Sequence, residues 1–261
     1  MTDKNIALAR FITSFGSMNN NYKSSVLQTK RVLDNKKGAK LPKNDTAILN
    51  DALDGIAAIK KNGFNSAGII AVNKSFTHSE EEDPAWPGHL RNALFNPNDA
   101  IAIITDPNGT SKGAYIAPAT VTASELDDIV NQFNESNKTI KDGWKVFAKL
   151  SKLQPFQDGN KRTALIAANA AMNTWEQENY LVLPFNNIDH AQFMVDLMRF
   201  YVAKNDTEEE KALDRMMTAL PSEKEVNLHL PLTQEEKENP NQLKTKQIKS
   251  FYSKRRQFLE R

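Results

Sequence analysis

The chain has 261 residues and a net charge of +2, and 39% of its residues are hydrophobic and 25% charged. These proportions are ordinary for a folded, water-soluble protein with one large domain or two small ones. Because the chain contains no cysteine, disulfides, thiolate metal sites, iron–sulfur clusters and cysteine nucleophiles are excluded. A reducing compartment suits such a chain, and we expect a cytoplasmic protein.

Secretion and membrane insertion are not expected. The longest nearly apolar stretch, residues 164–172, is about half as long as a bilayer span must be. Residues 1–4 carry no basic flank ahead of an apolar run, so we do not expect a secretory leader.

The charge is distributed unevenly along the chain. Residues 1–40 have a balance of +6, residues 241–261 again have +6, and the body between them has −10. Basic ends suit nucleic acid or an acidic partner, but charged tails are more often solvated. No recognition helix is evident, so we expect neither nucleic acid nor a membrane as a partner.

Apolar residues at steps of three and four predict six helices. In chain order, the first begins at Asp45 or Thr46, the second begins at Thr122 or Ser124, and the others cover residues 144–151, 159–177, 189–203 and 207–220. Pro155 must end the third of them.

Two stretches interrupt this helical pattern. Residues 67–72 and 99–104 are rich in β-branched side chains and are predicted to be extended. The sequence Asp-Pro-Asn-Gly at 106–109 is typical of a turn, and residues 112–116 would form the second arm of a hairpin. The sequence therefore predicts a mainly α fold with a small β-hairpin.

One segment, residues 154–163, combines several features of a phosphate site and reads QPFQDGNKRT. Gly159 lets the backbone approach a ligand closely, and a helix that begins there directs free amide N–H groups outward. Such a helix end binds anions, and Lys161 and Arg162 add positive charge. Asp158 supplies a carboxylate of the kind that holds Mg²⁺ between protein and phosphates. Together these features predict a nucleotide polyphosphate site on residues 154–162, which we call the motif loop.

The motif loop resembles the signature of the Fic family, His-Pro-Phe-x-Asp/Glu-Gly-Asn-Gly/Lys-Arg, at eight of nine positions. Residues 87–91, Pro-Gly-His-Leu-Arg, are similar to the family's Pro-Gly-x-x-Arg segment, and residues 115–120 to its flap. The resemblance implies a Fic-type helical bundle with a β-hairpin flap over the nucleotide loop. It would cover residues 45–203, with a basic helical extension at 1–44 and a helical extension with a basic tail at 204–261.

The activity implied by the resemblance is transfer of AMP from ATP, with Mg²⁺, to a Ser, Thr or Tyr hydroxyl of a target protein. Asp158 would hold the metal, Gly159 and Asn160 would contact phosphate, and Lys161 and Arg162 would hold the phosphate tail. Phe156 would anchor the loop in the core. The flap would align the target by strand-like pairing through Tyr115, Ile116, Ala117, Pro118, Ala119 and Thr120.

The departure from the family pattern is Gln154, which stands where the family has its catalytic histidine. Glutamine has no group that titrates near neutrality, so it cannot act as a general base, although it can orient a hydroxyl. Three explanations stay open: a naturally altered Fic domain, an engineered inactive variant, or a protein that uses another base. Of the four histidines, at 78, 89, 190 and 229, His89 beside the Pro-Gly turn is the first candidate for such a base.

Two other functions remain open beside AMP transfer. One is a non-catalytic nucleotide-binding Fic module that recognises a partner. The other is a phosphotransferase of the death-on-curing kind, which the run from Gly159 to Ala164 also resembles.

Regulation is a separate matter. Many Fic proteins carry an inhibitory Ser/Thr-x-x-x-Glu-Gly/Asn helix, and residues 174–179 match that pattern. On one continuous helix Glu178 would lie about 24 Å from Arg162, at 1.5 Å per residue, and could not reach it. We therefore interpret the match as coincidence within one chain, with action across a dimer as the alternative, and a separate antitoxin protein is a partner to consider.

Overall fold

The computed structural model describes residues 4–18, 22–79, 87–105 and 114–222, together with Val226. The chain divides into two compact units, residues 1–222 and 223–261, and every element described below lies in the first. The sequence turn at 106–109, His229 and the basic tail lie outside the described residues.

The first unit is built mainly of helices. In chain order they are α1 Lys4–Ser17, α2 Val26–Leu33, α3 Lys43–Asn62, α4 Ser66–Lys74, α5 Ala123–Asn134, α6 Ile140–Leu153, α7 Asn160–Ala171, α8 Thr174–Gln177, α9 Asn187–Val202 and α10 Asp206–Ala219. A single 3₁₀ turn, Pro97–Asp99, precedes two short strands, β1 Ala102–Ile104 and β2 Ala114–Ile116. Among the helices that the structure describes, none is long and apolar enough to cross a membrane.

The helix α7 forms the centre of the core and packs against α3, α4 and α6. All five of its residues from Ala164 to Ala168 are fully buried. A helix that is apolar all round needs neighbours on every side, and the alanines let those neighbours approach closely. On the far side of α6 lie α5, α9 and α10. The α6–α7 pair, which the motif loop joins, is therefore held from both sides.

The predicted start of α5 and the predicted limits of α9 and α10 are confirmed to within two residues, whereas α6 begins at Ile140, four residues before the predicted Trp144. The Thr122 side chain forms a reciprocal capping box with Glu125 at the start of α5, as a Thr-x-x-Glu sequence favours. Helix α6 ends at Leu153, directly before Gln154 and Pro155.

The extended structure predicted for residues 67–72 is wrong, because this stretch forms helix α4. Asn65 caps the helix by accepting a hydrogen bond from the Gly68 amide, 2.9 Å away. A Cβ atom at Gly68 would stand 1.9 Å from the Gly63 carbonyl oxygen, so glycine lets α4 pack tightly against the end of α3. A short apolar run is equally typical of a buried strand and a buried helix, and the tertiary packing decided between them.

Two predicted helix limits are also corrected. Asp45 does not cap α3, which begins at Lys43; its buried carboxylate instead accepts hydrogen bonds from the Lys23 and Ser24 amides. The helix predicted over 159–177 ends at Ala171, and Asn173 adopts the left-handed conformation with φ 48°.

The break after α7 is held by one side chain. Buried Asn169 accepts hydrogen bonds from the Thr174 hydroxyl and the Leu181 amide, which turns the chain back on itself. Glu178 is consequently not on the same helix as Arg162, and the predicted continuous helix between the two residues is wrong. Its carboxylate lies 3.6 Å from the Lys4 ammonium group.

The predicted hairpin is confirmed in part. Strands β1 and β2 pair antiparallel with Ala102 opposite Ile116, and the chain before them forms the 3₁₀ turn rather than a strand at Asp99. An isolated bridge joins Asn92 to Thr120. The chain that follows β2 is thus also paired with the segment around Asn92.

Candidate active site

The turn of the motif loop begins and ends with a residue in the left-handed conformation. Gln154 caps α6 with φ 51°, and Gly159 caps the start of α7 with φ 72°. A Cβ atom at Gly159 would lie only 3.0 Å from Asn73 Nδ2 and from the Phe76 ring, so the site has room only for glycine. Pro155 cannot continue α6, and the chain turns sharply into α7.

The shape of the loop is held from within by Asn160. Its Oδ1 accepts a hydrogen bond from the Phe156 amide at 2.8 Å, and its Nδ2 donates to the Phe156 carbonyl at 2.7 Å. The Phe156 ring is 1% exposed, which confirms the predicted core anchor. The Asn160 side chain, expected to contact phosphate, therefore holds the loop together in this structure.

The Gln154 side chain is 7% exposed and points into the protein. Its Nε2 donates to the Ser151 carbonyl at 2.6 Å, its Oε1 accepts from Asn160 Nδ2 at 2.9 Å, and it hydrogen-bonds to Tyr201. These contacts fix the amide between α6, α7 and α9. The Gln154 side chain thus helps to hold the loop in its conformation, and both ends of its amide have hydrogen-bond partners inside the protein.

The outward side of the loop carries opposite charges at the start of α7. Asp158 accepts a hydrogen bond from the Gly159 amide at 2.6 Å, and its own carbonyl accepts one from Asn73 Nδ2 at 2.8 Å. Burial raises the pKa of Asp158, and burial lowers the pKa of Lys161, an effect that the nearby Asp158 charge partly offsets. The first backbone bond of α7 runs from Thr163 N to Gly159 O, so the amides of residues 160–162 precede the helical ladder.

This donor set fits Mg²⁺ only together with phosphates. Over the described residues, no group of three or more His, Cys, Asp or Glu side chains could hold a metal ion. Mg²⁺ commonly binds one or two carboxylates and completes its shell with waters and substrate phosphates. Asp158 offers one carboxylate whose charged form is disfavoured by burial, and a cation would favour that form.

The Arg162 guanidinium lies in the core beneath the loop, with the residue only 2% exposed. Its Nη1 stands 3.7 Å from Asp51 Oδ2, and its charge lies over the Phe76 ring at 4.8 Å and the Phe15 ring at 5.7 Å. Burial lowers the pKa of Arg162 to about 10, although Asp51 acts in the opposite direction. Contact with a phosphate tail, as the resemblance implies, would require the guanidinium to leave these partners.

The flap, residues 115–120, presents one face inward and one face outward. The Tyr115 hydroxyl donates to the Lys152 carbonyl at 2.8 Å, and its ring lies 5.5 Å from that of Tyr201. Ile116 points the other way and is 69% exposed. The Tyr115 contacts place the flap beside the end of α6 and thus beside the motif loop.

The backbone of the flap has an open edge at Ile116. The Ala117 amide donates to the Ile101 carbonyl, and bonded pairs alternate along an antiparallel ladder. Ile116 opposite Ala102 is therefore a non-bonded pair, whose N–H and C=O face away from β1. This edge can pair with an extended segment.

Arg91 joins the flap to the motif loop, a role that sequence reasoning missed. The residue is fully buried; its Nε donates to the Gln154 carbonyl, its Nη1 to the Asp99 carbonyl at 2.5 Å and its Nη2 to the Pro118 carbonyl at 3.0 Å. A guanidinium can direct several donors to carbonyl groups at once. The signal was present, because Arg91 is the arginine of the Pro-Gly-x-x-Arg segment.

Asp99 is a second site residue that the sequence did not indicate. Its fully buried carboxylate accepts hydrogen bonds from His89 Nε2 at 2.8 Å, Gln157 Nε2 at 2.6 Å and the Asn92 amide at 2.5 Å. Burial alone would raise the pKa of Asp99, but these hydrogen bonds lower it overall. The carboxylate thus connects His89 to the motif loop at Gln157.

The remaining described histidines have other surroundings. His78 pairs with Asp54 at 3.0 Å, where both side chains are exposed. His190, at the start of α9, has a pKa lowered by burial and by the charge of Lys161.

Comparison with known proteins agrees with this architecture. Residues 64–172 match the model of the Fic/DOC family. A Fic domain-containing signaling protein from Bacteroides thetaiotaomicron aligns with a TM-score of 0.54 and 13% identity, covering 86% of this chain and 82% of that one. Fic-1 from C. elegans aligns with a TM-score of 0.46 and 18% identity, covering 84% of this chain and 64% of that one, a score too low to establish a shared fold. No curated protein sequence matches the chain.

The family match covers the flap, the motif loop and α7, and the first solved structure shares the mainly helical fold. Residues 64–172 of this chain are therefore similar to the Fic/DOC family, within a mainly helical fold of the same kind.

Proposed function

We propose that this protein transfers AMP from ATP to a hydroxyl group of a target protein, at a rate reduced by glutamine at position 154. The observation that supports this most is the motif loop, which presents the start of α7 together with Asp158 and Lys161. An amide-lined helix end beside a lysine and a carboxylate suits a metal-bound polyphosphate.

In this reaction the amides of residues 160–162 and the Lys161 ammonium group bind phosphate oxygens. Asp158 would hold Mg²⁺, and the ion would supply positive charge to the phosphates. The target hydroxyl oxygen attacks the α-phosphorus, the bond from that phosphorus to the bridging oxygen breaks, and pyrophosphate leaves with both electrons of the bond. The hydroxyl proton must pass to a base, and Gln154 cannot accept it.

Target docking would use the open edge of the flap. An extended target segment would pair with the N–H and C=O groups of Ile116, a mode that gives register through the backbone. Arg91 ties the Pro118 carbonyl and the Gln154 carbonyl to one guanidinium, so a segment on the flap would be held at a fixed distance from the loop.

A non-catalytic nucleotide-binding module is the second candidate. It is favoured by the Gln154 side chain, whose amide is engaged with Ser151, Asn160 and Tyr201 rather than directed to the loop surface. Phosphoryl transfer of the death-on-curing kind would use the same loop and differs in the phosphate that is moved.

The first experiment combines binding and transfer. Calorimetry with ATP and Mg²⁺ should show binding to the unaltered chain, and the absence of heat at millimolar ATP would contradict every nucleotide function. Incubation with α-labelled or γ-labelled ATP then separates the candidates. Protein labelled only by α-labelled ATP supports AMP transfer, and protein labelled by γ-labelled ATP supports phosphoryl transfer.

Gln154→His should raise AMP transfer by about 10²–10⁴-fold, the usual contribution of a general base. Gln154→Ala is the matched control, because it removes the same buried amide without adding a base. An equal rate in the unaltered and histidine forms would show that the missing imidazole does not limit transfer.

The flap is tested by Ile116→Pro, which removes the outward N–H while leaving the bonded pairs of Tyr115 and Ala117 in place. Target modification should fall to background, and ATP binding should be unchanged. Ile116→Ala keeps the amide and should retain modification. Loss in both variants would indicate a side-chain contact instead of backbone pairing.

A further inference from the structure

Helix α9 carries a second apolar face, on the side opposite its core face. The residues that it buries are Phe193, Asp196, Leu197, Phe200 and Tyr201. On the outer side, Ile188, Val195 and Val202 are 49%, 44% and 45% exposed. Helices α6 and α10 pack against α9, but they leave this outer face open to solvent. A surface helix normally has polar residues on that side, so two apolar faces indicate a helix with a second partner.

The outer face has the spacing of a surface along which two helices pair. Its apolar residues follow one another at steps of three, four, three and four, and they are Ile188, Ala191, Val195, Met198 and Val202. Ala191 is exposed and Met198 is half-buried. The three β-branched residues hold the a positions of about two heptads, and Ala191 and Met198 hold the d positions. We call these five residues the α9 seam.

A polar edge of fixed geometry runs along one side of the α9 seam. Asp196, which is 1% exposed, accepts hydrogen bonds from Gln192 Nε2 at 2.8 Å and from Arg199 Nη1 at 2.6 Å. The Arg199 side chain remains 50% exposed and has further N–H donors. Gln192 Oε1 accepts no hydrogen bond within the described part of the chain. The edge therefore offers one acceptor and one donor, two helical turns apart, to a partner.

A second copy of α9 in antiparallel orientation matches both the seam and its edge. In an antiparallel helix pair a positions pack against d positions, and e positions face each other. Gln192 and Arg199 are the two e positions, so the acceptor of one copy meets the donor of the other. In a parallel pair e faces g, and Arg199 would face the half-buried Met194 instead. Antiparallel packing also aligns the two helix dipoles favourably.

The size of the α9 seam sets the strength of the pairing. The helix has 16 residues and is therefore about 24 Å long. A strip of that length and about 10 Å wide, the width of a helix, is smaller than the about 800 Å² per partner that is typical of stable complexes. The pairing should therefore be reversible and should dissociate on dilution.

We propose that the α9 seam is a self-association surface, through which two copies of this chain form an antiparallel, two-fold symmetric dimer. Val195 packs against Met198 of the other copy, and Ala191 packs against Val202. Gln192 Oε1 accepts a hydrogen bond from Arg199 of the other copy. Each contact occurs twice, as a two-fold interface requires. The inference stands apart from the proposed AMP transfer and needs no nucleotide.

Sedimentation of the full chain at about 1 µM to 1 mM tests the pairing, with thermal unfolding measured for every variant. The unaltered chain should change from monomer to dimer across this range. Val195→Glu buries an unpaired charge in the interface and should weaken dimerisation at least about 100-fold. Ala191→Glu, which replaces an exposed residue, should do the same. Leu94→Glu is the matched control, because it places the same charge on a 77% exposed leucine outside α9 and should leave the dimer unchanged.

Two double variants test the orientation. In the antiparallel dimer position 191 faces position 202, whereas in a parallel dimer each position faces itself. Ala191→Glu/Val202→Lys should therefore dimerise at least about tenfold more tightly than Ala191→Glu/Val202→Glu, because like charges in contact repel.

The outcomes are decisive for the surface and for its geometry. A chain that stays monomeric up to the highest concentration overturns the proposal. A dimer that both Val195→Glu and Ala191→Glu leave intact also overturns it, because the copies would then meet elsewhere. Equal dimerisation of the two double variants refutes the antiparallel arrangement.

Discussion

The motif loop and the flap are neighbours but are stabilised in different ways. In the loop, the side chains of Gln154, Phe156 and Asn160 are buried, and those of Gln154 and Asn160 are hydrogen-bonded to other groups of the loop and its flanking helices. In the flap, the backbone of Ala117 is paired while Ile116 is 69% exposed. One region has its conformation determined by its own side chains, and the other by backbone pairing with its neighbours.

This difference indicates which residues are open to ligands. The Asn160 side chain holds the loop and the Arg162 side chain contacts core residues, so either would have to leave its partners to bind a nucleotide. In our proposal the amides at the start of α7 and Lys161 bind phosphate, and Asp158 holds the metal ion. On the flap, the Ile116 N–H and C=O groups face away from β1, which suits the proposed backbone pairing with a target whose sequence varies.

The largest expected effect tests the buried side of this comparison. Phe156→Ala should lower the free energy of unfolding by about 3–5 kcal/mol, because it leaves a cavity at the base of the loop. Thermal or denaturant unfolding measures the change. The matched flap variant, Ile116→Ala, removes an exposed side chain and should change stability by less than about 0.5 kcal/mol. Similar losses in the two variants would contradict the distinction between the regions.

A smaller effect tests whether Asn160 stabilises the loop or binds the ligand. Asn160→Ala leaves the amide and carbonyl of buried Phe156 without their partner, at a cost of about 1–3 kcal/mol for a buried group left unsatisfied. Asn160→Asp keeps the acceptor for the Phe156 amide but places a carboxylate oxygen against the Phe156 carbonyl and Gln154 Oε1, so it should be at least as destabilising at neutral pH. If Asn160→Ala weakens ATP binding at unchanged stability, the asparagine contacts phosphate after all.

The smallest expected effect is an increase in the free energy of unfolding, whereas the two effects above are decreases. Burial raises the pKa of Asp158, so the folded state is favoured while this carboxyl is protonated and loses that advantage as pH rises through the raised pKa. Asp158→Asn keeps the acceptor for the Gly159 amide and has no charge to bury, so it should be more stable than the unaltered protein at neutral pH. The stability difference should shrink toward acidic pH, as unfolding curves across pH would show.

The same substitution should abolish the Mg²⁺ dependence of nucleotide binding in calorimetry. A stable Asp158→Asn protein that still binds ATP with full Mg²⁺ dependence would contradict the metal role. Loss of stability at neutral pH would show that the carboxylate has a favourable partner in the folded state.

Most of the helical fold could be predicted from local signals. The capping residue Thr122, the proline after α6 and the apolar periodicity of α9 and α10 act within a few residues, so the sequence shows them directly. Where a signal was ambiguous, as in the apolar run of α4, the prediction failed. Residues 67–72 satisfy a buried strand and a buried helix equally, and only the neighbours α3, α5 and α7 distinguish the two.

For the site, the sequence alone determined the motif loop, because the turn, the glycine, the charges and the following helix are all contiguous. The direction of each side chain depended on distant residues and was decided by the tertiary structure. Arg162 faces Asp51, 111 positions before it in the chain, rather than the loop surface. Asp99 accepts hydrogen bonds from both His89 and Gln157, although Gln157 lies 58 positions after Asp99 in the chain. Hydrogen bonds and ion pairs between such separated residues form only when the helices pack, so no local pattern encodes them.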